Sequence, residues 1–353
     1  MRKVAIVGSH GLYANYGGWD QLVKNLAERK SDEKINYLIF NSKESPKHII
    51  PPKGVTTKHI NIKASGFEGI FYDFWTILIC YFKVDVILLL GVQGIPLVAF
   101  FSFFKKKHIV SNVGGLEWER PKFSFLAKQY LKFCFKLSFT FSDHVILDNA
   151  HYKVFAPKKS KAKVSVLPYG GEIDTSLKST PKLIEKYPFL PERFYLSISR
   201  SLEDNFIDKL CETFINLEDK LVLISNFTAT RYGKAVLEKY VSYPNLILIN
   251  GLYDKPELDL VRRNCVAYIH THTLCGTAPS LVEMVISQKP ILAVDIPQNR
   301  FTLDNQGYFY KDFDELKVFL EQKNDLTAYI PSKELCSGYQ WNYIIKRYQD
   351  LYV

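Results

Sequence analysis

The chain has 353 residues, of which 47% are hydrophobic and 23% are charged, so it is long enough for two globular cores, and its composition excludes a disordered protein. The formal net charge of +10 fits nucleic acid, an anionic membrane surface or phosphorylated ligands, and it equally fits a basic solvated surface. The six cysteines form no Cys-x-x-Cys pair, which excludes a zinc ribbon and indicates reduced thiols.

The first predicted strand covers residues 4–7 and follows the amino terminus directly, so we expect no secretory signal and a cytoplasmic protein. The glycines after this strand, Gly8 and Gly11, do not match the Gly-x-Gly-x-x-Gly fingerprint of dinucleotide binding. The second predicted strand ends in Phe40-Asn41-Ser42 and lacks the acidic residue that such proteins need. A nicotinamide dehydrogenase is therefore not indicated.

Two adjacent glycines, Gly17 and Gly18, precede an amphipathic helix predicted over residues 19–30. Glycines at a helix start allow the backbone to approach a ligand closely, and the free N–H groups there favour an anion. The same spacing also fits an ordinary turn between a strand and a helix.

Residues 87–104 carry no charge, and their number would suffice for a membrane-spanning helix. Gly91, Gln93, Gly94 and Pro96 interrupt the stretch, so we predict a buried strand over residues 86–90, a turn, and a buried helix from Pro96. A spanning helix is the alternative.

A further helix is predicted over residues 123–139, with Lys128, Lys132 and Lys136 on one face. A lysine face beside aromatic residues suits the surface of an anionic membrane. It equally suits the solvated edge of a domain helix.

Short apolar segments alternate with helical patterns along the whole chain, which predicts an α/β protein with parallel sheets covered by helices. The predicted strands are residues 4–7, 37–40, 86–90, 108–110, 144–147, 195–198, 221–224, 246–249, 266–270 and 291–294. The pattern begins twice, and we place a linker at residues 168–171 and in the polar stretch up to Pro191. In doubly wound domains the ligands bind at the carboxyl ends of the strands.

The second half contains a strand that ends at His270 and a helix predicted over residues 279–287. Pro279 suits the first turn, and Thr277 or Ser280 could cap the free N–H groups, which would favour a diphosphate. Glu283 lies one turn inside, where a carboxylate can accept hydrogen bonds from both ribose hydroxyls. Alternatively, Glu283 stabilises the helix dipole by about 0.3–1 kcal/mol.

His270 and His272 stand at the end of the same strand. Two histidines at this spacing could bind a metal ion, but no third ligand is close in the sequence. Hydrogen bonding to a sugar, or local packing, is the interpretation that we prefer.

Three segments together resemble glycosyltransferase family 4, and within it the bacterial rhamnosyltransferase-type subgroup. They read Gly8-Ser9-His10-Gly11-Leu12-Tyr13-Ala14-Asn15-Tyr16-Gly17-Gly18-Trp19-Asp20, Gly114-Gly115-Leu116-Glu117-Trp118, and His270-Thr271-His272-Thr273-Leu274-Cys275-Gly276-Thr277-Ala278-Pro279-Ser280-Leu281-Val282-Glu283. Smaller matches are Asn226, Tyr232-Gly233, Tyr253-Asp254 and Asn299-Arg300. The resemblance extends over nearly the whole chain.

The resemblance implies a GT-B fold, in which two Rossmann-like doubly wound domains face each other across a cleft. The acceptor-side domain would comprise residues 1–170 and the donor domain residues 171–338. A terminal helix within residues 339–353 would cross back to the first domain. It also implies a metal-independent enzyme without a cofactor that retains anomeric configuration.

The implied reaction moves a hexose or deoxyhexose, with rhamnose favoured, from a nucleotide diphosphate-sugar to a saccharide acceptor. That acceptor would be lipid-linked, and the product would be a bacterial surface polysaccharide such as capsule or O-antigen. Peripheral contact with the inner face of the plasma membrane would follow, and nucleic acid is not an expected partner.

The resemblance and the local patterns together assign roles to single residues. The catalytic candidates are Glu283, Arg200, Glu117 and His10. The donor-binding candidates are Gly17, Gly18, Asn205, Asn226, Tyr253, His270, His272, Gly276, Thr277, Ala278, Pro279, Ser280 and Leu281. The acceptor-side candidates are Asn15, Tyr16, Asn112, Gly114 and Trp118.

Several positions depart from the pattern of family 4 or of its subgroup. Gly114 replaces an aspartate, His10 replaces an arginine, and Cys275 stands where family 4 commonly has a first glutamate. Of the Arg-x-x-x-x-Lys phosphate clamp that is usual in family 4, Arg200 is present, and Asn205 stands in place of the lysine, in agreement with the subgroup. These departures keep an alternative open, namely a catalytically impaired homologue that acts as a carbohydrate-binding or scaffolding protein.

Overall fold

A computed structural model gives the fold of the chain and describes residues 1–14, 17–30, 32–119 and 123–353. The chain forms two compact units. The first unit contains Met1–Tyr169 and Trp341–Val353, and the second contains Gly170–Gln340.

The first unit is built on a seven-stranded parallel sheet. Its strands are β1 (Arg2–Val7), β2 (Ile35–Asn41), β3 (Val55–His59), β4 (Val86–Leu90), β5 (His108–Gly114), β6 (His144–Leu147) and β7 (Lys163–Val166). Their order in the sheet is β3-β2-β1-β4-β5-β6-β7. The order therefore reverses between β1 and β4, and a sheet of this kind opens a crevice at that point.

Helices cover both faces of this sheet because successive strand residues point to opposite sides. The helices within the amino-terminal part of this unit are α1 (Gly18–Glu28), α2 (Glu68–Cys80), α3 (Ile95–Ser102) and α4 (Phe125–Phe141). On one face, α2, α3 and α4 bury Tyr72, Ile95 and Phe135 against the sheet. On the other face, α1 buries residues such as Leu22.

The uncharged stretch of residues 87–104 forms β4, a turn and α3. All five residues of β4 are buried, as expected of a central strand covered on both faces. The prediction of a strand, a glycine turn and a helix is confirmed, with the helix beginning at Ile95. Among the residues that the structure describes, no helix is long and apolar enough to cross a membrane.

The second unit is built on a six-stranded parallel sheet with the order β10-β9-β8-β11-β12-β13. Its strands are β8 (Phe194–Ile198), β9 (Lys220–Ser225), β10 (Leu246–Asn250), β11 (Ala267–His270), β12 (Ile291–Val294) and β13 (Tyr308–Tyr310). Its helices are α5 (Pro181–Lys186), α6 (Ile207–Phe214), α7 (Arg231–Tyr240), α8 (Lys255–Asn264), α9 (Pro279–Ile286), α10 (Pro297–Thr302), α11 (Phe313–Glu321) and α12 (Lys333–Gly338). Here the strand order reverses between β8 and β11.

The polar stretch that we predicted as a linker up to Pro191 belongs to the second unit, and that part of the prediction is wrong. It forms α5, and the following Tyr187, Phe189 and Leu190 are buried in the second core. These three apolar side chains, which flank Pro188, anchor the segment despite its polar composition.

The terminal helix α13 (Trp341–Asp350) packs on the first unit. Its buried side chains Ile344, Ile345 and Tyr348 join the core that α1 covers. The Asn112 side-chain amide donates to the Tyr348 hydroxyl at 2.6 Å, which ties β5 to this helix.

The turn after β1 requires glycine. Gly8 has φ +93°, and a Cβ there would lie 1.9 Å from the carbonyl oxygen of Leu90. Both the left-handed backbone and the neighbouring strand thus exclude a side chain.

We expect Gly8→Ala to destabilise the first unit by about 3–5 kcal/mol, because backbone strain and a steric clash add together. Gly66→Ala is the matched control, since Gly66 also has a positive φ of +65° but a Cβ there would meet nothing within 4 Å. It should cost only about 1 kcal/mol. Urea unfolding of both variants measures the difference, and equal losses would contradict the packing argument.

Candidate functional site

The strand order of the second sheet brings two loops together. β8 and β11 are neighbours at the point of reversal, and residues 199–206 and 271–278 leave their carboxyl ends. The Thr271 hydroxyl donates to the Asn205 carbonyl at 2.5 Å, and the Thr273 hydroxyl donates to the Asp204 carbonyl at 3.0 Å. The two loops are thus fixed side by side where ligands bind in sheets of this kind.

The two predicted histidines lie in this place, with ring centroids 4.4 Å apart and planes at 82°. His270 Nδ1 lies 3.4 Å from the Tyr268 hydroxyl. His270 Nε2 and His272 Nδ1 are buried and have no hydrogen-bond partner among the residues that the structure describes. Buried polar atoms are normally bonded, so these two nitrogens are available to a ligand.

Burial holds both rings in the neutral form. It lowers the pKa of His270 well below its usual 6.5. Burial, and then the positive charge of Arg200, lower the pKa of His272 to about 4. A neutral imidazole can both donate and accept, which suits the hydroxyl groups of a sugar. Within the described ranges, no group of three His, Cys, Asp or Glu side chains could hold a metal ion.

Helix α9 begins beside these histidines, with Pro279 in its first turn. Its N-cap residue is Ala278, which has no side chain that could accept a hydrogen bond, so neither Thr277 nor Ser280 is the N-cap residue. The Ser280 hydroxyl interacts with Tyr268 instead. The helix therefore begins with N–H groups that no N-cap side chain occupies, a favourable place for an anion.

Glu283 lies one turn inside α9, and its side chain is 27% exposed. Arg262, which is only 4% exposed, donates from one guanidinium nitrogen to Glu283 Oε2. From the other it donates to Asp259 Oδ1 at 2.6 Å. Burial raises the pKa of Glu283, and the positive charges of Arg262 and Lys255 oppose that effect.

Asp259 anchors the buried end of this chain of charges and is fully inaccessible. Besides Arg262, it accepts from Lys255 Nζ at 2.7 Å and from the Asp174 backbone N–H at 2.9 Å. A buried carboxylate needs partners of this number to remain charged. The chain Lys255–Asp259–Arg262–Glu283 thus fixes the Glu283 carboxylate at the start of α9, and our sequence analysis did not find its first three members.

Asn205 and Asn226 support the Arg200 loop. The Asn205 amide donates to the Arg200 carbonyl at 2.8 Å, and the Asn226 side-chain oxygen accepts from the Ser201 N–H at 2.8 Å. Arg200 itself is exposed. The contacts of both asparagines are therefore internal ones that hold Arg200 in place.

The structure also describes three further predicted donor residues of the second unit. Gly276 is buried directly before the start of α9, and Leu281 is fully buried in the core under that helix. Tyr253 is 85% exposed after β10, and a Cβ at Gly251 would lie 2.6 Å from its ring. An exposed aromatic ring at the carboxyl edge of the sheet offers a stacking surface.

In the first unit, His10 lies between two carboxylates. Its Nδ1 is 3.3 Å from Asp20 Oδ2, and its Nε2 is 3.7 Å from Glu44 Oε2. The His10 backbone N–H also donates to Asp20 at 3.0 Å. This ring therefore connects the turn after β1 to α1 and to the segment after β2.

The glycine pair is placed at the start of α1. Gly17 is the N-cap residue and is exposed, and none of the described residues lies within 4 Å of the position that a Cβ would take. A Cβ at Gly18 would lie 2.7 Å from the Tyr169 ring, so Gly18 is required by packing. Asn15 and Tyr16 lie outside the residues that the structure describes.

Gly114 ends β5 with φ +61°, where a Cβ would lie 3.2 Å from Trp19. The Asn112 side chain is buried, and its oxygen accepts from the Gly114 N–H at 2.9 Å. Asn112 is therefore committed to internal contacts, and the bend at Gly114 gives a physical reason for a glycine at this position.

Glu117 and Trp118 lie in a short 3₁₀ turn after β5, and both are partly buried. The Trp118 ring packs edge-on against Phe135, with centroids 4.8 Å apart. Trp118 thus belongs to the edge of the core formed by α4. A salt bridge to Arg120 would be an alternative, structural role for Glu117, but Arg120 lies outside the described residues.

One buried acid escaped the sequence analysis. Asp73 lies on α2, is 3% exposed, and has its pKa raised to about 8 by burial. A Cβ at Gly94, in the turn after β4, would lie 3.4 Å from the Asp73 Cβ. A carboxylic acid that is protonated at neutral pH therefore stands near the point where the first sheet reverses its order.

The amino-terminal half of the chain matches a known family model. Residues 1–172 match the family described as "Domain of unknown function (DUF1972)". No curated protein matches the chain.

The whole chain is similar in structure to proteins of the GT-B fold. A sucrose-phosphate synthase from Thermosynechococcus elongatus has a TM-score of 0.78 at 14% identity, over 100% of this chain and 98% of that one. An E. coli trehalose-6-phosphate protein bound with UDP-2-fluoro glucose has a TM-score of 0.72 at 12% identity, over 99% of both chains. Anabaena HepE in complex with UDP-glucose has a TM-score of 0.72 at 13% identity, again over 99% of both. The predicted GT-B fold class is confirmed.

The lowered pKa of His272 predicts a pH dependence of stability. Between pH 6.5 and about 4 the unfolded chain binds more protons than the folded chain, so stability falls as the pH drops through this window, by up to about 3 kcal/mol. His272→Asn should flatten this part of the curve, whereas His48→Asn, at an exposed position, should not. Urea unfolding at several pH values measures the effect, and parallel curves for His272→Asn and wild type would refute it.

Proposed function

We propose that this chain is a glycosyltransferase that takes its sugar from a nucleotide diphosphate-sugar. The observation that carries the proposal is the position of the Glu283 carboxylate in α9, where the buried Arg262 side chain of α8 holds it. A carboxylate fixed in this way can accept hydrogen bonds from both hydroxyls of a ribose. The N–H groups at the start of α9 lie about one turn away, where they could bind the diphosphate of the same donor.

In this proposal, Arg200 and the N–H groups of residues 276–280 stabilise the negative charge that grows on the leaving diphosphate. Preorganised donors of this kind each lower the barrier by about 3–4 kcal/mol. The unpartnered nitrogens of His270 and His272 bind hydroxyl groups of the donor. The reaction needs no metal ion in this scheme, because protein donors neutralise the diphosphate.

The sugar passes through an oxocarbenium-like state. The leaving phosphate oxygen removes the proton of the acceptor hydroxyl on the same face, so the anomeric configuration is retained. His10, Glu117 and the segment around Gly114 are the proposed acceptor-side groups. The resemblance to the rhamnosyltransferase-type subgroup supports a deoxyhexose donor, a lipid-linked saccharide acceptor, and peripheral contact with a membrane.

A second candidate function is supported by Gly114, which replaces the aspartate of the subgroup in a backbone that favours glycine. A homologue that has lost turnover could bind carbohydrate or serve as a scaffold. Such a protein would bind a nucleoside diphosphate without hydrolysing any nucleotide sugar from a panel, which distinguishes the two candidates.

We expect Glu283→Gln to lower the affinity for UDP about 10–100-fold, because it weakens two charge-assisted hydrogen bonds to the ribose. The affinity for inorganic pyrophosphate, which has no ribose, should stay unchanged. Arg200→Gln should lower the affinity for both UDP and pyrophosphate. Isothermal titration measures all of these affinities.

Glu238→Gln is the matched control, since Glu238 is an exposed glutamate on α7 of the same unit. Thermal unfolding must accompany the titrations, because Glu283→Gln alters a partner of a buried arginine. A folded Glu283→Gln protein that binds UDP as tightly as wild type would rule out the ribose-binding role.

A further inference from the structure

The solvent-facing side of α2 and the residues that flank it are apolar. Phe67, Phe71, Trp75, Leu78 and Phe82 are exposed by 76%, 55%, 52%, 49% and 50%. Their spacings of four, four, three and four residues place them on one side of the helix, and we call them the aromatic stripe. A surface helix normally turns polar side chains outward, so this arrangement is the reverse of the usual one.

Helix α3 continues the apolar surface. The Phe82 ring lies 5.3 Å from that of Phe101, which lies 5.6 Å from that of Phe100. Phe100, Phe103 and Phe104 are themselves exposed by 54%, 80% and 71%. The stripe and the end of α3 thus form one contiguous patch on the first unit, of a kind that monomeric proteins rarely leave uncovered.

Positive charges border this patch. Lys83 follows Phe82 directly, and Lys105 and Lys106 follow Phe104, and all three are exposed. Among the residues that the structure describes, none of the three forms an ion pair. The acids within residues 67–107 are Glu68, Asp73 and Asp85, of which Asp73 is buried and Asp85 accepts from the Lys3 N–H.

We propose that this patch docks the chain on the surface of an anionic lipid bilayer. Phenylalanine and tryptophan side chains insert at the boundary between headgroups and acyl chains, and neighbouring lysines contact the anionic headgroups. Since no helix among the described residues could cross a membrane, the contact is an interfacial one. The inference deepens the membrane part of the proposed function, and it rests on that function only for the position of the acceptor.

The exposed side chains assign the membrane contact to α2 and the end of α3, whereas the sequence had suggested the lysine face of α4. On the predicted lysine face of α4, Lys132 and Lys136 are exposed and Lys128 is partly buried, and the exposed Phe133 lies between them. The aromatic stripe presents five exposed apolar side chains, against three on α4, which are Phe125, Leu126 and Phe133. We therefore place the insertion at the stripe and assign the lysines of α4 to headgroup contact. The Phe103 and Phe141 rings, 6.4 Å apart, join α3 to the end of α4.

Vesicle flotation of the full chain tests the proposal, with vesicles of phosphatidylglycerol and phosphatidylcholine compared with phosphatidylcholine alone. The wild-type protein should float with the anionic vesicles and should dissociate from them in high salt. The variant Phe71→Gln/Trp75→Gln/Phe82→Gln should remain in solution. The control Val241→Gln/Val318→Gln replaces apolar side chains of the second unit that are 63% and 52% exposed, and it should float like wild type.

The charged border is tested separately with Lys83→Gln/Lys105→Gln/Lys106→Gln. Each lysine contributes about fivefold in membrane affinity, so the three together should lower it by about a hundredfold. Trp75 adds a direct readout, because its emission should shift to the blue on binding, and Trp75→Phe should float but lose that shift.

Flotation of the folded aromatic variant at the wild-type level, or failure of wild type to bind anionic vesicles, would overturn the proposal. So would sedimentation that shows a wild-type dimer which the aromatic substitutions convert to a monomer, with no vesicle binding, because the patch would then join two copies. UDP affinity is measured in the same variants and should stay unchanged. A failure of the donor site is therefore distinguishable from a failure of docking.

Discussion

The candidate donor site depends most on the two ion pairs of the Arg262 guanidinium. This guanidinium is nearly inaccessible and joins Asp259 inside the second unit to Glu283 at the start of α9. A buried charge is tolerated only when its partners are in place, so Asp259, with its three donors, fixes the guanidinium. The partly exposed Glu283 carboxylate is consequently positioned before any ligand arrives, which lowers the entropy lost on binding.

The two sheets reverse their strand order in the same manner, and buried polar atoms lie near the reversal in both. In the second unit, buried nitrogens of His270 and His272 stand unpartnered among the described residues. In the first unit, His10 contacts Asp20 and Glu44. The Asn112 side chain donates to the Tyr348 hydroxyl and accepts from the Gly114 N–H. Ser9 Oγ, just after β1, and Trp19 Nε1 on α1 also have no hydrogen-bond partner among the described residues, so both units offer buried polar atoms to a ligand.

The interior of the fold could be predicted from the sequence because buried parallel strands are nearly all apolar, as β4 is. The missed strands β3, β7 and β13 are sheet edges. β3 and β7 carry polar side chains that break the apolar pattern, and β13 has only three residues. The site was found in part, because Glu283 and the histidines lie in one continuous segment. Arg262 was not predicted, because it lies 21 residues before Glu283 in the sequence and only the packing of α8 and α9 brings the two side chains together. Asn205 and Asn226 matched a family pattern, but only their hydrogen bonds reveal that they support a loop.

Hydrogen–deuterium exchange of the full chain, with and without UDP, tests the central claim most directly. The account predicts slower exchange in the loop of residues 199–206, in residues 271–278 and in the first turn of α9, with little change at the edge strands of the second sheet. Unchanged exchange in these segments at saturating UDP, with protection confined to other parts of the chain, would contradict it.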